Sequence, residues 1–391
     1  IQERCLKEGE SQRECNKRAE EARKNYAEAG NAGQATILNE DPSEWLDSNQ
    51  CQDCFLPVFN LKPKGSAQYI LALRNFDPLD TTERFKFGFI GSSDTHSARP
   101  GNGYKDIKRL DFTDASGPTE SAGFIFGFNE GEGVYGKSTP KNYTRDTLPP
   151  GPLEVDRLMS YFYTGGLIAT HSNDKTRESI WRSIKNKEVY ATSGPRILLW
   201  FDLINGPEGL LPMGSEISLK ESPRFMVRAI GSFEQKPGCP NYALNALGED
   251  KIRHLCKNEC YNPSDTRREI ERIEIVKILP QEYEDEPLDS LILDPWKTFK
   301  CNGTEECIVT FSDSDFEPNK RDALYYARAI ERQTKAVNAN NLRCERDNFG
   351  RCKEVDICYG SPLQTPREED CLGNIQERAW SSPIFVDYKK Y

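Results

Sequence analysis

From Arg196 onward the chain alternates short runs of β-branched and aromatic residues with Pro, Gly and Asn turns. The runs are Ile197–Leu203, Arg224–Gly231, Arg272–Leu279, Cys307–Phe311, Tyr325–Ile330 and Ser382–Val386. Strands spaced this way, without helices between them, bury their apolar sides by pairing and stacking. The expectation for residues 196–391 is a β-sandwich decorated by two long cysteine-bearing loops, Gly238–Asn262 and Asn340–Leu372. Asp313-Ser-Asp315-Phe-Glu317 has the look of a calcium loop but lacks its glycine and terminal glutamate, and reads as a turn.

Cysteine use sets the compartment. Thirteen cysteines are too many for an ordinary reduced cytosolic enzyme. Their spacing points to local staples at Cys5/Cys15, Cys51/Cys54, Cys256/Cys260, Cys301/Cys307, Cys344/Cys352 and Cys358/Cys371, with Cys239 available to replace one member. Connectivity is not deducible from spacing alone, and an odd count leaves one thiol over. Cys51-Gln-Asp-Cys54 has zinc-knuckle spacing but no second pair to complete it. A secreted or periplasmic location is expected. Asn142 and Asn302 open glycosylation sequons, which matter only where the source glycosylates them. No run of about 18 apolar residues is present, so no transmembrane segment is expected. A net charge of −10 without a basic stripe argues against nucleic acid as a partner.

The N-terminal half reads differently. Residues 1–30 are rich in Glu, Lys, Arg and Ala, and predict an exposed helix or helical hairpin clamped by Cys5 and Cys15. Gly65–Asn75 predicts a helix with Tyr69, Ile70 and Leu73 on one face. Alternating aromatics at Phe85, Phe87 and Phe89 predict a strand that stops at Gly91-Ser92-Ser93. Asp94 and His96 follow, two residues apart and pointing the same way on an extended chain. A carboxylate and an imidazole leaving a strand end are suitable ligands for a divalent metal. Arg99 follows on the next loop, where an arginine suits a phosphate, sulfate or carboxylate. Residues 105–155 are poorly patterned and read as an active-site lid or a surface excursion. Asp111 and Asp114 in this stretch read as solvated loop carboxylates, with supporting acids that reach the cleft as the alternative. A strand over Gly165–His171 then leads to a helix capped by Asp174 or Thr176, with Ile180, Trp181 and Ile184 as its buried stripe. His171 ends that strand and is a candidate for the same rim. His254 has no companion ligands and reads as a surface residue.

The stretch Lys86–Tyr104 resembles the last metal-binding motif of the polymerase and histidinol phosphatase (PHP) superfamily. More closely, it resembles a bacterial family defined only as domain of unknown function 3604. The resemblance extends over Gly65–Phe76, Phe85–Tyr104, Thr164–Leu203, Pro223–Tyr242, Ile270–Leu279 and Ala379–Asp387. It implies an α/β fold in which residues 1–195 form the C-terminal portion of a PHP-like barrel and residues 196–391 a cysteine-rich β-sandwich-like domain. It further implies Asp94 and His96 as ligands of zinc, manganese or iron ions that activate a water, while the position matching His171 is often not histidine in the broader family. Relatives open on a His-x-His motif, whereas this chain has three histidines in all and no such motif. The expectation is that an N-terminal segment of the same protein carries the remaining ligands.

The resulting expectation is an exported metal-dependent hydrolase acting on a small-molecule ester, by superfamily analogy a phosphoester. The alternative is a non-catalytic extracellular binding or assembly protein that keeps a degenerate PHP-like fold. A third reading, carbohydrate binding through Trp200 or Trp296, competes with a plain core role for both residues. Substrate identity and oligomeric state are left open at this level.

Overall fold

The computed structural model describes residues 2–20, 46–50, 60–77, 79, 84–92, 105, 166–207, 209–337, 343–346, 348, 352–356 and 372–389. Asp94, His96, Arg99, Asp111, Asp114 and Asn142 lie outside them. Two sheets organise the chain. In chain order the strands of these two sheets begin with β1 (Leu167–Thr170), β2 (Val189–Thr192), β3 (Leu198–Gly206), β4 (Gly209–Pro212), β5 (Glu216–Leu219) and β6 (Arg224–Ile230). They are followed by β7 (Ile270–Ile278), β8 (Ile292–Thr304), β9 (Glu306–Ser312), β10 (Ala323–Glu331), β11 (Arg378–Ser381) and β12 (Ile384–Tyr388). The larger sheet runs β8–β7–β10–β11–β2–β1 in space, and β12 pairs with β10 and β5. The smaller runs β9–β6–β3–β4.

The sheets stack through strand alternation. Leu199, Phe201 and Leu203 of β3 and Phe225, Val227 and Ala229 of β6 meet Ile273 and Ile275 of β7 and Tyr325, Ala327 and Ala329 of β10, all buried. Phe225 lies at the centre, its ring 5.3 Å from Phe201 and 4.7 Å from Tyr325. The β-rich, disulfide-bearing C-terminal part expected from the sequence is therefore present. Trp296 packs beside Phe311 and Tyr325, and Trp200 lies under the Arg228 guanidinium.

An ion pair enters this core. Lys277 Nζ is 2.5 Å from Asp313 Oδ2, which also accepts a hydrogen bond from Tyr325 OH at 2.5 Å. The calcium-like motif is thus engaged internally, and Asp315 leads into the short Phe316–Asn319 helix.

The outer face of the larger sheet carries a second core. Val276, Ile278, Leu324, Tyr326 and Phe385 are covered by Leu71 and Ala72 of the Ala67–Ala72 helix and by Phe87 and Phe89. Ser66 caps that helix by accepting from the Tyr69 amide. Of its expected apolar face, Tyr69 and Leu73 pack here while Ile70 is exposed, because the helix is shorter than its sequence pattern and turns Leu71 inward.

Several expectations are corrected. Phe85–Ile90 is extended but joins no ladder; the Phe89 amide donates to Ser382 Oγ, which donates to the Val189 carbonyl. Strands β1 and β2, flanking the Arg177–Lys185 helix, pair antiparallel, where a barrel unit needs parallel strands. The connection begins and ends at one end of the sheet, since the His171 amide donates to the Glu188 carbonyl. Among the described residues the parallel pairing is β5 with β12. That helix is capped by Thr176 as expected, but its stripe is not buried: Trp181 is 63% exposed and Ser183 faces inward. Gly238–Asn262, expected as a loop, contains helices Asn241–Leu247 and Glu249–Cys256. The larger sheet also crosses the boundary expected at 195–196, since β2 pairs with β11.

Cys5–Cys15 and Cys301–Cys307 are bonded as expected. Cys260 bonds Cys239, and Cys256 is a free thiol. After the helix ending at Cys256, Lys257 and Asn258 adopt positive φ, and the Cys260 amide donates to the Gly238 carbonyl. That turn carries Cys260 to Cys239 and away from Cys256. The side chains of Cys51, Cys54, Cys344, Cys352, Cys358 and Cys371 lie outside the described set.

Candidate functional site

A cavity of about 1450 Å³ opens on the outer face of the larger sheet, beside the second core. One wall is the extended segment Phe87–Ser92 and the β1–β2 end, with Gly166, Thr192 and Ser193. Close backbone approach builds this wall. The Gly166 amide donates to the Ser92 carbonyl at 3.0 Å. A Cβ at Gly91 would stand 2.9 Å from the Leu167 carbonyl oxygen, and one at Gly166 would stand 2.9 Å from that of Thr192. Larger residues would push the segment off the sheet.

The opposite wall is the polar part of the sheet. Glu274 of β7 faces Arg328 of β10, and Arg328 faces Trp380 of β11, in direct register. Residues opposed across neighbouring strands share a face. Arg328 Nε donates to Glu274 Oε2 at 2.7 Å, and its Nη2 donates to Asp294 Oδ1 at 2.5 Å. Arg272 donates to Glu274 at 2.7 Å, to Glu271 at 2.7 Å and to Gln376 at 3.1 Å. Gln68, from the covering helix, donates to both Asp294 and Tyr326 OH at 2.6 Å. Burial alone would raise the Glu274 carboxyl, but the Arg328 and Arg272 guanidinium groups hold it below its ordinary value. Burial drives the Tyr326 hydroxyl well above its ordinary range, so it remains a neutral donor.

The floor is more deeply buried. Arg378 donates to the carbonyls of Ser48 and Asn49 at 3.0 and 2.8 Å. Burial, then the nearby Arg328 charge, lowers it to about 10, which leaves it charged at neutral pH. Next to it Glu377 accepts a short hydrogen bond from Ser193 Oγ, and burial pushes its carboxyl up to about 7.

Of the sequence candidates, Asp94, His96 and Arg99 lie outside the described residues, two to seven positions beyond Ser92. His171 is not at this cavity. It follows the far end of β1, about 15 Å from Gly166 by strand rise. Its Nε2 donates to the Leu199 carbonyl at 2.8 Å, and its ring lies 5.5 and 5.6 Å from those of Tyr190 and Trp200. His254 is exposed on the Glu249–Cys256 helix, as expected. Among the described residues no group of three or more His, Cys, Asp or Glu side chains is placed to hold a metal ion. The described side chains do not form a metal site by themselves.

Sequence reasoning missed Arg272, Glu274, Arg328 and Arg378. The available signal was charge at alternating positions within strands otherwise filled by Ile and Ala, such as Arg272-Ile-Glu274-Ile and Ala327-Arg328-Ala329. Such strands lie inside a sheet with one face left polar.

Residues 76–202 match a family model described as a protein of unknown function (DUF3604). The DUF3604 match covers about a third of the chain, including the cavity wall at Phe87–Ser92 and strands β1 and β2. The resemblance expected over Pro223–Tyr242, Ile270–Leu279 and Ala379–Asp387 falls outside it. An uncharacterized protein of Chlamydia pneumoniae is 41% identical over 65 residues, which is 17% of this chain and 10% of that protein. The chain thus matches about a tenth of that relative's length. No solved structure matches the chain.

Proposed function

We propose that this chain belongs to an exported, PHP-like metal-dependent hydrolase whose reacting centre adjoins the cavity described above. Asp94 and His96 are assigned to the metal, which would be zinc, manganese or iron and would supply an activated water. The substrate class is a small-molecule ester, a phosphoester by superfamily analogy, with Arg99 assigned to its anionic group. Further ligands are assigned to chain outside the described residues. His171 is left out of the chemistry, because its ring is spent on Leu199 and two aromatic neighbours.

The observation that carries this reading is the course of Phe87–Ser92. The segment lines the cavity wall as far as Ser92, and Asp94 follows two residues later. The three disulfides among the described residues are compatible with an oxidising compartment. No helix among the described residues is long and apolar enough to cross a membrane.

The test is metal content per chain by elemental analysis, together with turnover of p-nitrophenyl phosphate and p-nitrophenyl acetate. Bound transition metal and turnover of one ester are expected, both lost in Asp94→Ala and His96→Ala. Retention of both properties in both variants overturns the proposal. A protein purified without chelators that holds no metal and turns over neither ester is the non-catalytic binding protein instead.

A further inference from the structure

The sheet-side wall of the cavity has a charge pattern that constrains what it binds. Each of its arginines is already matched. Arg328 is shared between Glu274 and Asp294, and Arg272 between Glu274 and Glu271. A phosphate arriving at Arg328 or Arg272 would meet carboxylates and would have to displace an existing ion pair, and Arg378, also at the cavity, is spent on the Ser48 and Asn49 carbonyls. A hydroxyl group meets no such obstacle. It accepts from a guanidinium or amide N–H and donates to a carboxylate, so neighbouring hydroxyls fit alternating arginine and carboxylate edges without adding charge. Gln68 adds a further amide edge beside Asp294. The cavity also carries apolar faces: Trp380 is half-buried directly across from Arg328, and Phe89 of the facing wall meets Tyr326 edge-on at 5.1 Å. Aromatic surface beside a few fixed polar groups is the usual make-up of a small-molecule site.

We propose that this wall binds the neutral, hydroxyl-rich part of the ligand, a saccharide, through Arg272, Glu274, Arg328, Asp294, Gln68 and Trp380. The inference refines the substrate class of the proposed hydrolase, with the saccharide moiety on the sheet side and the reacting ester toward Ser92 and beyond. It differs from carbohydrate binding at Trp200 or Trp296, which are both engaged elsewhere.

Saturation-transfer difference NMR on the full chain tests it, with maltose, cellobiose, lactose and chitobiose as neutral probes and inorganic phosphate as the charged one. At least one disaccharide is expected to give signals that phosphate does not compete away. Those signals should weaken roughly tenfold in affinity in Trp380→Ala and in Gln68→Ala, as loss of a stacking face or of an amide hydrogen bond requires. Gln68 is on the covering helix and outside both cores, so its variant keeps the test valid if Trp380→Ala fails to fold. Absence of signal from all four disaccharides overturns the proposal, as does binding that both folded variants retain at full strength. Metal content and ester turnover of the natural protein separate it from the hydrolase reading. Saccharide binding by a natural protein that is purified without chelators, holds no metal and turns over neither ester sinks the hydrolase and keeps this site. Metal and esterase activity without saccharide binding do the reverse.

Discussion

At the level of single residues, Glu377 is a carboxyl held far from its ordinary state. It is 2% exposed, its hydrogen bond comes from Ser193 Oγ, and the second buried carboxylate Glu331 adds to the pressure against ionisation. Arg268 and Arg378 act in the opposite direction, yet burial dominates and the carboxyl titrates near 7. Its folded pKa lies above the ordinary value of 4.5, so the folded chain holds a proton that the unfolded chain gives up. The associated stability is complete below about 4.5 and disappears as pH rises through about 7. Glu377→Gln keeps the neutral form at every pH. The variant is expected to gain on the natural protein between pH 5 and pH 8, by up to about 3 kcal/mol. Urea unfolding at the two pH values measures this, and parallel changes in both proteins would exclude the assignment. Asp202, which burial raises to about 6, titrates in the same window in both proteins and cancels from the difference.

At the level of elements, the strands were the most legible part. Each buries one side against a partner sheet, so alternation in Ile197–Leu203 or Tyr325–Ile330 directly reports its inward residues. The Arg177–Lys185 helix shows the limit of such patterns. Periodicity shows that Ile180, Trp181 and Ile184 share a face, but not that anything covers it, and Trp181 stays exposed. The candidate site was legible only at its edge, at Ser92 ahead of Asp94. Glu274, Arg328 and Trp380 are brought together by the register of three strands far apart in the chain, and one sequence does not state register. Of the expected cysteine pairs, Cys256/Cys260 was displaced for a similar reason, since proximity in sequence favoured Cys256 while the turn after the helix delivers Cys260 to Cys239, the cysteine held in reserve. That staple closes a 21-residue separation spanning both helices of Gly238–Asn262. Opening it with Cys239→Ser and Cys260→Ser is expected to cost about 3 kcal/mol. Alkylation without reduction, followed by peptide mapping, should label Cys256 and leave Cys239 and Cys260 joined. A Cys256–Cys260 peptide would refute the pairing.

At the level of the whole molecule, the larger sheet ties together parts of the chain that the sequence assigns to separate domains. β2 borders β11, and the second core combines Leu71, Ala72, Phe87 and Phe89 with Val276, Leu324, Tyr326 and Phe385. A fragment of residues 196–391 would keep the sandwich core but lose the cover of its outer face. Val276, Leu324, Tyr326 and Phe385 would then form a contiguous apolar surface, and β11 would become an open edge. Each newly exposed large side chain forfeits about 1.5–3 kcal/mol. The fragment is therefore expected to melt roughly 10 °C or more below the full chain and to self-associate on size-exclusion chromatography. The full chain should instead melt in a single transition that includes residues on both sides of 195. If the fragment is monomeric and melts with the full chain, the boundary at 195–196 separates independent domains, and the contacts of Leu71, Phe87 and Phe89 add no stability to the sandwich. The same comparison bears on the cavity, because its two walls come from opposite sides of that boundary: Phe87–Ser92 from one, Arg272, Glu274 and Arg328 from the other. A ligand held between them should raise the melting temperature of the full chain and leave that of the fragment unchanged, since only the full chain carries both walls.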